Sequence, residues 1–174
     1  AIAKSLLKIQ QLGQQNSKVQ NKIIKYVRKM PKRNLAASRL YILIFDYMQD
    51  LYQSVQLISE NCTDHLNNFH SQPSKDFLMT SEEIERALNA YTGLVCEGIS
   101  SSIFKSSEKI LEQHDVLVAL INKAVDRVIT EIQKEEVGNR IGQLQMKLLL
   151  ETKDILTTIH SMYGLYHEYH KQVV

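Results

Sequence analysis

This sequence predicts an all-α fold, a bundle of long antiparallel helices, and three observations predict it. Only two prolines, Pro31 and Pro73, and six glycines punctuate 174 residues, so little interrupts a helix. Apolar residues recur at intervals of three and four, the spacing that lines one face of a helix. There is no Trp and little β-branched alternation, which leaves strands almost nothing to build on.

Ile2, Leu6, Ile9, Gly13, Val19, Ile23, Tyr26 and Met30 trace a first helix, which Pro31 ends. A second starts near Asn34, a good N-cap type, and carries Leu40, Ile44, Tyr47, Leu51, Val55, Ile58 and Cys62. Tyr41, Phe45, Met48 and Tyr52 give it a second apolar face, so it is expected to pack against two neighbours and to be central. A linker follows near 69–79, and Thr80 or Ser81 is the expected cap of a third helix, with Glu82 or Glu83 closing a capping box. That helix runs to about the serine cluster after Gly98. A fourth carries Ile110, Leu117, Leu120, Ala124, Val128 and Ile132 and breaks at "KEEVGN". A fifth runs from Asn139 to about His170 through Ile141, Leu144, Leu148, Ile155, Ile159 and Met162. The expected core is Leu40, Ile44, Leu51, Val55, Ile58, Leu117, Leu120, Leu148 and Ile155.

The whole of 1–174 reads as one helical domain, long enough to bury a core and, beginning Ala-Ile-Ala-Lys, as a segment of a longer chain. A formal charge of +2 gives no ground for nucleic acid as a partner. No apolar run approaches the ~18–20 residues that cross a bilayer. Cys62 and Cys96 lack any zinc spacing and read as buried free thiols of a reducing compartment.

An internal echo appears at an offset of 105 residues, pairing Asn34 with Asn139, Leu43 with Leu148, Asp46 with Glu151 and Leu51 with Leu156. Two related helical hairpins would give this pattern, as would chance resemblance between amphipathic helices.

No GxSxG, P-loop, GxGxxG or HExxH motif is present, so a catalytic reading has no foothold. His167 and His170, His65 and His70, and His114 beside Asp115 are weak candidates for metal binding or phosphotransfer, and exposed or satisfied imidazoles are the plainer reading. Lys25, Arg28, Lys29, Lys32 and Arg33 form a basic cluster at the first helix end, either a solvated cap or a patch for anions or a membrane surface. The best site candidates are Asp46 and Asp50. Four residues apart on a helix, they repel by a few tenths of a kcal/mol unless a cation or solvent relieves them, roughly the cost of like charges at this spacing. They mark a wet helix margin or, with Glu151 and Asp154 across the bundle, a site for a divalent metal ion as cofactor.

The stretches "NLAASRLYILIFDYMQDLYQSVQLISENCTDHLNNFH" and "EIQKEEVGNRIGQLQMKLLLETKDILTTIHSMYGLY" resemble the PhoU-like helical domain. They are most similar to the version attached to Bacteroides-type PiT-family sodium/phosphate symporters. The resemblance implies tandem three-helix units and E(D)xxxD metal motifs. Asp46 to Asp50 matches that motif, whereas Ile155 stands where the second copy, starting at Glu151, would end in an acid. It also implies a non-enzymatic regulatory domain of an inorganic phosphate transporter, at the cytoplasmic side of the bacterial inner membrane. Its partner would be the transmembrane part of its own transporter, or another transporter, and it could form homo-oligomers. A free-standing phosphate-uptake regulator acting in trans is the alternative, and a His-phosphotransfer bundle using His114 a further one.

Overall fold

The computed structural model describes residues 2–32, 34–68, 72–101 and 107–173, with side chains from 4 to 170. The described residues form five helices and no strand: α1 (Ile2–Lys29), α2 (Leu35–Asn67), α3 (Lys75–Ser101), α4 (Ser107–Gln133) and α5 (Asn139–Val173). Successive helices run antiparallel.

Local chemistry sets the ends. Asn34 does stand at the N-cap of α2, but its side chain makes no capping bond. Its carbonyl instead accepts from both the N–H and the hydroxyl of Ser38. For α3 the cap is Ser74, whose Oγ accepts the Phe77 N–H at 3.1 Å. Thr80 and Ser81, the expected caps, therefore lie inside the helix, more than one turn past its observed start. Ser74 wins because it directly follows Pro73, which cannot be carried in a helix interior. The α4 terminus closes with Glu136 N–H on the Glu131 carbonyl and Glu135 N–H on the Ile132 carbonyl. That pair of bonds requires a left-handed residue, and Glu135 supplies it at φ 57°.

The core lies among α3, α4 and α5. Phe77, Ile84, Tyr91 and Val95 meet Ile110, Leu117, Ile121 and Val128 across Leu149, Leu156 and Tyr163. Gly142 lets α5 come close to α4, since a Cβ there would sit 2.8 Å from Ile132 Cγ1. The central helix is α5 rather than α2, since α5 touches α2, α3 and α4. α2 does pack on two neighbours, α1 and α5, and Tyr41 and Tyr52 of its second apolar face meet Tyr26 and Gly13 of α1.

Two corrections to the expected core follow from this layout. Leu40 and Leu117 are buried, while Ile44, Leu51, Val55, Ile58, Leu120, Leu148 and Ile155 are half-buried. On α5 the most buried row is Leu149, Leu156 and Tyr163, one residue round from the expected stripe. A helix with neighbours on two sides spreads its apolar residues over both, so a single stripe misplaces its centre. Cys62 is half-buried, with its thiol pKa pushed up by burial, but Cys96 is exposed.

The α1–α2 contact is of a different kind. Ile9, Gly13, Asn16, Gln20, Ile23, Val27 and Met30 form its inner row, at alternating spacings of four and three. Gly13 makes room there for Tyr52, since a Cβ would sit 2.6 Å from its hydroxyl and the ring would have to shift. Gln20 donates to Gln49 at 2.9 Å, and the Tyr26 and Tyr41 rings lie 4.9 Å apart.

Candidate functional site: an acidic groove between α2 and α5

α2 and α5 cross the middle of the molecule side by side, and small or polar residues hold them apart along part of their length. Asp50, Gln53, Ser54 and Leu57 share one face of α2, and Glu151, Asp154, Thr157 and Thr158 one face of α5. Together they line a groove of about 360 Å³. Ser54 forms its buried floor. The Thr157 hydroxyl donates to its own helix, to the Lys153 carbonyl at 2.9 Å, so its oxygen faces the groove as an acceptor. Lys153 is drawn away from the groove, to Asn122 on α4 at 2.8 Å.

Asp50, Glu151 and Asp154 are therefore brought to one groove. Asp46 is not; it is exposed and outside the groove lining. Among the described residues, no three His, Cys, Asp or Glu side chains are grouped so as to hold a metal ion. Ile155 occupies the position where another acid would be needed, and it is half-buried. Three carboxylates with no lining cation make the groove suited to a positively charged group or a hydrogen-bond donor.

A second groove, of about 220 Å³, continues the same seam. Asn61, Asp64, His65 and Asn68 face Arg140, Gln143 and Lys147, and Lys147 donates to Asn61 at 3.2 Å. The charge along the seam thus changes from acidic to mixed within two or three helical turns.

The other candidates are scattered. Lys25, Arg28, Lys29 and Lys32 are exposed at the end of α1, where cations offset the helix dipole, and Arg33 lies outside the described residues. His70 also lies outside them. His167 stacks on Tyr163 and His170 tilts against Tyr166, so both are engaged with aromatic neighbours along α5. His114 is only 18% exposed in its side chain and sits 3.2 Å from Asp115.

His114 also belongs to a group that sequence reasoning missed. Its ring stacks on His160 with centroids 3.9 Å apart, and His160 Nδ1 meets the Tyr91 hydroxyl at 3.0 Å. Burial, then the nearby His114, lowers the His160 pKa. Burial raises that of Tyr91, which is fully enclosed. The three residues come from three helices and 69 positions separate Tyr91 from His160, so no local pattern announces them.

No family model matches the chain, and no curated protein or solved structure matches it either. Among the described residues, no helix is long and apolar enough to cross a membrane.

Proposed function

We propose that this chain is a PhoU-like, non-enzymatic regulatory domain of an inorganic phosphate transporter, working at the cytoplasmic face of the bacterial inner membrane. The observation that carries the reading is the arrangement of the two echoing helix pairs. The offset of 105 residues carries Ile2–Lys29 onto 107–134, where α4 spans Ser107–Gln133. It carries Leu35–Asn67 onto 140–172, where α5 spans Asn139–Val173. Both pairs pack as hairpins, and their second members, α2 and α5, lie antiparallel against each other. The PhoU resemblance implies tandem three-helix units; here two hairpins echo each other along one seam, and α3 has no counterpart among the described residues. The acidic groove crosses that seam, where a ligand or a partner's cationic group would bias how the two halves sit together. Such a domain acts by binding and by changing shape, with no bond made or broken.

The test is in-frame removal of residues 1–174 from the gene, with labelled phosphate uptake measured in phosphate-starved and phosphate-replete cells. Uptake is expected to persist but to lose its dependence on phosphate supply. Unchanged regulation contradicts the proposal. Rescue by 1–174 supplied as a separate polypeptide would place the action in trans.

A further inference from the structure

The charge of +2 conceals a division of the chain. The first 45 residues carry ten lysines and arginines and no acidic residue, whereas the remainder carries eleven against nineteen acids. The basic excess is concentrated on α1, and it is laid out with order. Opposite the inner row that packs on α2 runs an outer row: Lys4, Lys8, Gln11, Gln15, Lys18, Lys22, Lys25 and Lys29. Its spacings also alternate between four and three, so it stays on one side of the helix along its whole length. All eight residues are exposed. Among the described residues, none of these lysines is in an ion pair. From Lys4 to Lys29 the row extends about 38 Å at the α-helical rise.

Apolar side chains flank the lysines instead of acids. Leu7 is 59% exposed and Tyr26 53%, with Leu12 and Val19 also uncovered. We infer that the outer face of α1 docks on an anionic phospholipid surface, with its lysines among the headgroups and Leu7 beside them reaching toward the acyl boundary.

Charge complementarity selects this occupant. A straight row on an outward face matches a plane, and its lysines are compact point charges that suit a diffuse field of headgroups. Duplex recognition leans on bidentate arginines reaching into a groove, and the row contains only lysine and glutamine. The acidic remainder of the chain is repelled by the same surface, which orients the domain with α1 down. This inference rests on the charge layout of α1 and does not depend on the transporter reading.

The experiment is co-flotation of the 174-residue chain with vesicles of phosphatidylcholine alone and with 30% phosphatidylglycerol added. Two variants accompany it: Lys8→Gln, Lys18→Gln, Lys22→Gln on the row, and Lys109→Gln and Lys123→Gln on α4 with Lys134→Gln just after it, called the α4 variant, which removes the same charge elsewhere. Far-ultraviolet circular dichroism confirms that each is folded. Binding is expected only to the anionic vesicles, lost at 1 M salt where screening reaches about 3 Å. The α1 variant should bind at least tenfold more weakly and the α4 variant unchanged. Equal binding to both vesicle types, or equal loss in both variants, overturns the inference. So does tighter binding to a 20-base-pair DNA duplex than to the anionic vesicles, which would make nucleic acid the occupant.

Discussion

The three-helix body of α3, α4 and α5 and the α1–α2 hairpin are made of helices of similar length, yet they are held together differently. The body encloses Tyr91, Ile110, Ile121 and Leu156 completely. The hairpin's seam contains Gly13, Asn16, Gln20 and Gln49, and it leaves Leu6, Leu12, Val19 and Tyr26 in solvent. The difference comes from the number of neighbours. Each helix of the body meets two others, whereas α1 meets α2, and α3 has no counterpart on the hairpin side. An apolar stripe stabilises a helix only as far as something covers it, at about 25 cal/mol per Å² of apolar surface removed from water.

This comparison can be broken most directly by truncating side chains in each half. Leu156→Ala should cost about 2–5 kcal/mol, the range for a fully buried leucine, read as a shift in the urea midpoint. Leu12→Ala and Val19→Ala on α1 should stay within about 0.5 kcal/mol of the parent, as exposed substitutions do. Comparable losses in both halves would mean that α1 is as firmly packed as the body.

A second effect is specific to α5. Gln145 is fully buried, and neither its Nε2 nor its Oε1 has a hydrogen-bond partner among the described residues. Gln145→Leu removes that desolvated amide at similar volume and should raise stability by about 1–3 kcal/mol. A loss of stability instead would show that the amide is engaged. Smaller again is Glu135→Gly at the α4 terminus. A β-carbon is unfavourable at φ 57°, so glycine should add about 0.5–1 kcal/mol to the chemical-denaturation free energy. No gain would show that Glu135 is not held in that conformation.

The smallest effect expected is pH-dependent. His160 has a lowered pKa in the folded protein, so the unfolded chain binds more protons as pH falls below the ordinary histidine range. Its neutral form is favoured by folding, and that stability is present above about pH 6.5, the unperturbed histidine value, and lost progressively below it. The wild type should therefore be less stable at pH 5.5 than at pH 7.5, and His160→Gln should flatten the dependence. An unchanged slope in the variant would contradict the assignment of the dependence to His160.

Much of the fold was legible because it is local. Pro31, Pro73 and the "KEEVGN" break mark the connections, and three- and four-residue spacing marks the helices. The identity of the central helix was not legible, because periodicity reports an apolar face and not what covers it. Tyr41, Phe45, Met48 and Tyr52 make α2 look doubly packed, and the second layer is a single helix. Of the candidate site, the internal echo pointed to α2 and α5 as partner helices but aligned Asp46 with Glu151, whereas it is Asp50 that shares the groove with Glu151 and Asp154. Asp46 could not be separated from Asp50, because four residues put both on one face while only one lies beside α5. The Tyr91, His114 and His160 group depends on the packing of three helices and left no trace in spacing.

The central claim is that the helices packed around α5 form a firm body that carries a lightly held basic outer helix, α1, and native-state amide hydrogen exchange tests it most directly. Amides in the middle of α4 and α5, around Ile121 and Leu156, should exchange only through global unfolding, with free energies that follow the denaturant dependence of the whole domain. Amides in the middle of α1, around Gln15 to Lys22, should open by a smaller, denaturant-insensitive step and exchange at least a hundredfold faster. Equal protection of α1 and α4, with the same denaturant dependence, would contradict the account.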